Sequence, residues 1–290
     1  MTKIGFIGLG NMGAKMVINL LRANYEVTGY DLNEEFIENL LPKGLKKAST
    51  LNDVLGETDV VITMLPDGNI VEEVYENIID NLKPGTLLVD CSTIDVDKAR
   101  DLHKKCEIKK LLPLDAPVSG GVGGAELATL TFMVGGTEDA YKKMLPLFEV
   151  MGRKSLLCGS AGSGQATKAC NNMLLATTMV SVGEAFSLGQ NLGLDPGKLF
   201  EILSTSTGSC WAINNYCPIK GVGPQSPADN NFKPGFSASL MFKDLSIALK
   251  AIKNTGTHAP FGICAQENFK KMVEKNQGDL DFSAITKLNK

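Results

Sequence analysis

A short apolar run, Ile4 to Leu9, leads into GLGNMG and then into Met12, Met16 and Leu20 spaced four apart, with Val17 and Leu21 beside them. A second run, Tyr25 to Tyr30, ends in Asp31, eighteen residues after Gly13, and NEEFIENLL follows with acidic residues in its first turn. Strand, glycine turn, amphipathic helix, strand and acid within about thirty residues form a βαβ unit, and few architectures accommodate one. Gly8 permits the tight turn and Gly10 leaves backbone open to a pyrophosphate. Gly13 allows close helix packing. With Asn11 and Met12, these glycines place phosphates at a helix N-terminus, so the unit predicts a bound dinucleotide. A carboxylate at Asp31 accepts hydrogen bonds from ribose hydroxyls and repels a 2′-phosphate. Leu32, Asn33, Glu34 and Glu35 offer no cation, which predicts NAD over NADP. Asp31 as a cap of the next helix is compatible with both.

Further apolar runs follow at Val60 to Met64, Leu87 to Val89, Leu111 to Leu114, Leu130 to Val134 and Leu156 to Cys158, with helical or turn segments between them. This alternation predicts an α/β, Rossmann-type, doubly wound and mostly parallel sheet. After GSAGSGQ (159–165) the strand runs stop, and helical periodicity continues to Gly189, then near 195–204, 239–254 and 259–275. The expected division is a dinucleotide-binding domain at 1–163 and an all-helical substrate and oligomerisation domain at 164–290. Residues 221–235, rich in Gly, Pro, Asn and Asp, are either an ordered loop or a mobile lid.

Composition narrows the function classes. Lys and Arg total 29 against 32 Asp and Glu, a net charge of −3, and the only arginines are Arg22, Arg100 and Arg153; nucleic acid is an unsuitable partner. Seven cysteines form no CxxC and two histidines accompany them, which argues against structural zinc and a disulfide framework. Cys210 and Cys217 are either a redox pair or buried apolar thiols. The uncharged stretch from Ala169 to Gly183 is too short for a membrane span and reads as a core helix. A strand beginning at Lys3 leaves no room for a targeting segment, so the expected location is cytoplasmic.

Two further segments carry chemistry. DAPVSGGVGG (115–124) presents consecutive backbone N–H groups around Ser119, Gly120 and Gly121, either an anion site or a flexible connector. In GSGQATKACNN, Lys168 and Asn172 stand at i and i+4 on one helix face in apolar surroundings. That lysine either snorkels to the surface or serves a cleft. Trp211, Phe232 and Phe236 either line an apolar pocket or pack ordinarily.

These motifs resemble the β-hydroxyacid dehydrogenase family along nearly the whole chain. GLGNMGAKMVINL is similar to its cofactor motif, DAPVSGGVGGAELATLTFMVGG to its substrate motif, GSGQATKACNNMLL to its catalytic motif and KDLSIAL (243–249) to its final cofactor motif. STID (92–95), GSCW (208–211) and PADNNF (227–232) are similar to the subgroup acting on 3-hydroxyisobutyrate in valine degradation. The resemblance implies that Lys168 is the catalytic lysine, that Asn172 meets the substrate and that Ser119, Gly120 and Gly121 cradle its carboxylate; an apolar pocket lined by Trp211 would take the substrate's methyl group. It also implies that Leu65, Pro66, Asn69, Thr93 and Lys243 border the cofactor, that no metal takes part and that the assembly is a homodimer or homotetramer. Sister activities on tartronate, glyoxylate or succinic semialdehyde remain open, as does a non-catalytic NAD sensor. The chain departs from the family at Ala128, usually glycine, at Ser209, often arginine, and at Cys91, commonly serine.

Overall fold

The computed structural model describes residues 2–289. Their contacts divide the chain into two compact units, Met1–Lys168 and Ala169–Lys290.

In the first unit the apolar runs become β1 (Lys3–Ile7), β2 (Glu26–Tyr30), β4 (Val60–Thr63), β5 (Leu87–Asp90), β6 (Leu112–Asp115), β8 (Leu130–Gly136) and β9 (Gly152–Gly159), and two strands of two residues each, β3 (Lys46–Lys47) and β7 (Val118–Ser119), join them. Between them run α1 (Gly13–Arg22), α2 (Glu34–Glu38), α3 (Leu51–Leu55), α4 (Gly68–Ile78), α5 (Val96–Ile108), α6 (Gly121–Glu126) and α7 (Glu138–Met151). Strand order is 3-2-1-4-5-6-8-7, with β9 on β8. The pairs from β3 to β6 are parallel, as expected of a doubly wound sheet, whereas β8 runs antiparallel to β6 and β7. The antiparallel turn-back begins where the DAPVSGG segment leaves β6.

The fully buried strands β4 and β5 carry apolar side chains on both faces, because helices cover both. One core, around Phe6, Met16, Leu20, Phe132 and Phe148, fills one face; a second, around Ile7, Val61, Tyr75 and Leu88, fills the other. β1 lies between β2 and β4, so the chain order reverses at its carboxyl end, the position where open α/β sheets bind ligands.

The helix α8 (Ser163–Asn191) begins in the first unit and continues into the second, which contains α9 (Pro196–Thr205), α10 (Trp211–Asn214), α11 (Ala238–Thr255) and α12 (Pro260–Glu274). Their core gathers Met179, Phe186, Met241, Leu245, Phe269 and Phe282. The 221–235 segment is braced internally. Asp229 accepts from Gly221 N–H at 2.7 Å and Ser226 N–H at 2.9 Å, and Ser226 Oγ donates to the Cys217 carbonyl at 2.6 Å. All seven cysteines are unpaired thiols, and Cys217 is fully buried. Among the described residues no helix is long and apolar enough to cross a membrane, and no cluster of metal-ligating side chains occurs.

Candidate active site

The glycine turn follows β1 at the reversal point. Gly8 has φ +98°, and a Cβ there would fall 2.3 Å from the Met64 carbonyl oxygen; at Gly13 it would fall 1.9 Å from that of Gly8. Both are required by the protein's own packing. Gly10 differs, since a Cβ there would meet nothing closer than the Phe36 ring at 3.9 Å. Protein packing therefore does not exclude a side chain at Gly10, whereas a phosphate group approaching the backbone would. The N-terminus of α1, behind Asn11 and Met12, has no side-chain cap. By contrast Asp67 caps α4 and Asp95 caps α5. An uncapped helix N-terminus behind an open glycine suits an anion, so the residues fit a dinucleotide's pyrophosphate.

Asp31 ends β2 with both oxygens engaged. Oδ2 accepts from Leu9 N–H at 2.7 Å and Oδ1 from Asn33 N–H at 2.8 Å. The cap of α2 is Asn33, so Asp31 ties the glycine turn to the helix start, and its carboxylate has acceptor capacity for further donors.

Leu65 and Pro66 leave the carboxyl end of β4, and Thr93 follows β5. Cross-strand register aligns Ile7, Thr63, Asp90 and Asp115 in one row along this edge. Asp90 Oδ1 accepts from Thr63 Oγ1 at 2.8 Å and Ser92 N–H at 3.1 Å, and Ser92 Oγ accepts from Leu65 N–H at 2.8 Å. Burial pushes the Asp90 carboxyl above its usual range, and the nearby Asp115 carboxylate adds to this; hydrogen bonds from Ser92 and Thr63 oppose it. Asn69 lies in the first turn of α4 with its Oδ1 accepting from Lys98 Nζ at 2.9 Å, while Lys98 also pairs with Glu72 at 2.6 Å.

Asp115 serves the helix that carries Lys168. Its Oδ1 accepts from Gly162 N–H at 2.8 Å and its Oδ2 from Gln165 N–H at 2.9 Å, so a buried carboxylate caps α8. His103 Nε2 lies 3.1 Å from Asp115 Oδ1. The Gln165 side chain, 1% exposed, donates to the Ser92 carbonyl and accepts from Ile94 N–H, bracketing Thr93. Lys168 follows one turn later and is 8% exposed. It does not snorkel to the surface.

Beyond β6, Gly120 (φ +129°) and Gly121 (φ +62°) turn the backbone into α6, which has no side-chain cap. Asn19 of α1 donates to the Ala125 carbonyl at 2.7 Å and fixes this segment beside the glycine turn. Ser119 pairs with Thr131 and is half-buried.

Within the second unit Asn172 is 1% exposed; its Nδ2 donates to Asp244 Oδ2 at 2.6 Å and its Oδ1 accepts from Asn171 Nδ2 at 2.9 Å. Lys243 Nζ lies 3.3 Å from Asp244 Oδ1. Trp211 is 50% exposed and stacks on Tyr216 at 5.0 Å, and Tyr216 donates to the buried Asp281 at 2.9 Å. Phe236 packs edge-on to Phe282, and Phe232 lies beneath Lys287. Ser209 Oγ accepts from Asn214 Nδ2 at 2.9 Å.

Sequence reasoning singled out none of Asp90, Asp115, Gln165 and Asp244. The first two carried a signal, a carboxylate at the same end of two successive strands.

Residues 3–159 match the model of the NAD binding domain of 6-phosphogluconate dehydrogenase. Residues 162–289 match that described as NAD-binding of NADP-dependent 3-hydroxyisobutyrate dehydrogenase. A probable 3-hydroxyisobutyrate dehydrogenase of Mycobacterium tuberculosis is 46% identical over 98% of this chain and 97% of its own length. An NAD-dependent L-serine dehydrogenase of Pseudomonas aeruginosa is 41% identical over 99% and 98%. The solved structure of the M. tuberculosis 3-hydroxyisobutyrate dehydrogenase with L-serine superposes with a TM-score of 0.95 at 45% identity, covering 99% of both chains. With the glycine turn, the mostly parallel sheet and near-complete coverage in agreement, the chain belongs to the 3-hydroxyisobutyrate dehydrogenase family of NAD-dependent oxidoreductases.

Proposed function

We propose that this protein oxidises 3-hydroxyisobutyrate to methylmalonate semialdehyde with NAD, as in valine degradation. The observation that carries the reading is the placement of Lys168, buried one turn after a glutamine bonded on both sides of Thr93. Gly8, Gly10, Asn11, Met12 and Gly13 hold the pyrophosphate, Asp31 the adenosine ribose, and Leu65, Pro66, Asn69, Thr93 and Lys243 the remainder of the cofactor. NAD, when bound, supplies the hydride acceptor. Ser119, Gly120 and Gly121 bind the substrate carboxylate through backbone N–H groups, which fixes the hydroxyl-bearing carbon. Lys168 Nζ takes the hydroxyl proton and returns it in the reverse direction. Asn172, held in one orientation by Asp244 and Asn171, positions the hydroxyl, and Trp211 borders the substrate's methyl group.

L-serine is the second reading, because it shares the β-hydroxy carboxylate and replaces the methyl group with an ammonium. It is favoured by the name of the Pseudomonas relative and by the ligand of the mycobacterial structure. Six exposed apolar residues of the second unit, Leu174, Leu188, Leu192, Ile202, Phe261 and Ile263, support a homodimer or homotetramer. Seven unpaired thiols support a cytoplasmic location. NADH formation with both 3-hydroxyisobutyrate enantiomers, 3-hydroxypropionate, glycerate, 4-hydroxybutyrate and L-serine tests the substrate. A higher kcat/KM for L-serine than for either 3-hydroxyisobutyrate enantiomer would transfer the assignment. Light scattering tests the assembly, and a monomer at micromolar concentration would refute it.

A further inference from the structure

The cleft beside Asp31 holds a cation that lies sixteen residues away in sequence. β3 pairs with β2 so that Lys47 stands opposite Gly29. Tyr30, Asp31, Leu32, Glu34, Lys47 and Ser49 border a cavity of about 170 Å³. Lys47 Nζ lies 2.9 Å from Glu34 Oε1, with the two side chains 37% and 72% exposed. A lysine in this position is what a ribose 2′-phosphate would seek, so Asp31 alone does not decide the cofactor.

We propose that Glu34 is a specificity-determining residue, which by pairing with Lys47 withholds that ammonium from a ribose 2′-phosphate. The inference rests on the reading that the adenosine ribose lies at Asp31. The cleft lining then carries two carboxylates, Asp31 and Glu34, and one ammonium, Lys47, a net negative charge. An ion pair this exposed holds Lys47 only weakly, and a phosphate dianion competes for it. Competition does not help the phosphorylated cofactor, because displacing Glu34 from Lys47 leaves its carboxylate unpaired beside the phosphate. Glu34 therefore acts both by occupying Lys47 and by repelling the ligand. Charges separated by several ångströms at a solvated surface change binding by roughly five- to tenfold at moderate salt.

ADP-ribose and 2′-phospho-ADP-ribose carry this end of the cofactor without the nicotinamide, so calorimetric titration of the whole chain reads recognition apart from turnover. Wild type should bind ADP-ribose more tightly. Glu34→Gln keeps the side chain's size and an acceptor, and should narrow the ratio of dissociation constants by at least about fivefold. Adding Lys47→Gln should cancel that gain, and raising the salt concentration should shrink it. A Glu34→Gln ratio within about twofold of wild type, with Asp31→Asn shifting it clearly, would overturn the role of Glu34. A ratio indifferent to Asp31→Asn as well would instead overturn the placement of the ribose, and this inference with it.

Discussion

Gln165 Nε2 donates to the Ser92 carbonyl at 2.7 Å, and the same amide accepts from Ile94 N–H at 3.0 Å. One side chain thus closes both backbone groups flanking Thr93, one turn before Lys168. Gln165→Ala leaves a buried carbonyl and a buried N–H without that partner, at a cost of about 1–3 kcal/mol each. It should also loosen the spacing of Lys168, lowering kcat by roughly ten- to a hundredfold. Thermal unfolding and steady-state kinetics check both effects. Gln165→Glu keeps the acceptor for Ile94 but sets a buried carboxylate oxygen against that of Ser92, so at neutral pH it should destabilise at least as much as alanine.

Lys168→Ala removes the proposed proton acceptor from a site whose cofactor contacts lie elsewhere. Turnover should fall at least about a hundredfold, within the usual range for general acid–base groups. NADH affinity, measured by fluorescence titration, should stay close to wild type. Near-normal turnover would remove Lys168 from the role.

Asp90 predicts a pH signature in stability. Its carboxyl titrates above its ordinary value of 3.8 in the folded protein, chiefly through burial. Folding therefore favours the protonated form, and this contribution is complete below the unfolded value and is lost as pH rises through the folded one. Asp90→Asn removes the loss and keeps an acceptor for Thr63 and Ser92. The Tm of the variant minus that of wild type should increase from pH 4 upwards, then level off once Asp90 is ionised. A difference that shrinks with rising pH would reverse the assignment.

Ala128 follows α6 in a left-handed conformation, φ +54°. Its Cβ makes that conformation costly, and glycine is the residue that adopts it freely. Ala128→Gly should stabilise the protein by about 0.5–1 kcal/mol, raising Tm by roughly two degrees in a chain of this size. Differential scanning calorimetry measures this directly.

Much of this architecture was legible because burial leaves a periodic trace. β1, β2, β4, β5, β6 and β8 coincide with apolar runs, and α8, α9, α11 and α12 with helical periodicity. β3 and β7 have two residues each, too few to show alternation, and the direction of β8 depends on pairing rather than composition. The glycine turn and Asp31 were readable because their chemistry is local. Asp115 and Gln165 were not singled out, although both stand inside the motifs, because their partners lie 47 to 73 residues away. Lys47 escaped for the same reason: only the β2–β3 register brings it beside Asp31. Ala128 stood out as a departure in sequence, but its meaning required the backbone angle.

The strand that delivers Lys47 also ends the sheet. β3 is just Lys46 and Lys47, paired with Glu26 and Glu34 respectively. An outermost strand normally offers unpaired amides to any passing chain, and a brief, doubly cationic one offers little. Ligand discrimination and resistance to self-association thus converge on one side chain. Substituting Glu34 leaves both lysines of the border in place; substituting Lys47 thins the barrier that keeps two copies from zipping edge to edge.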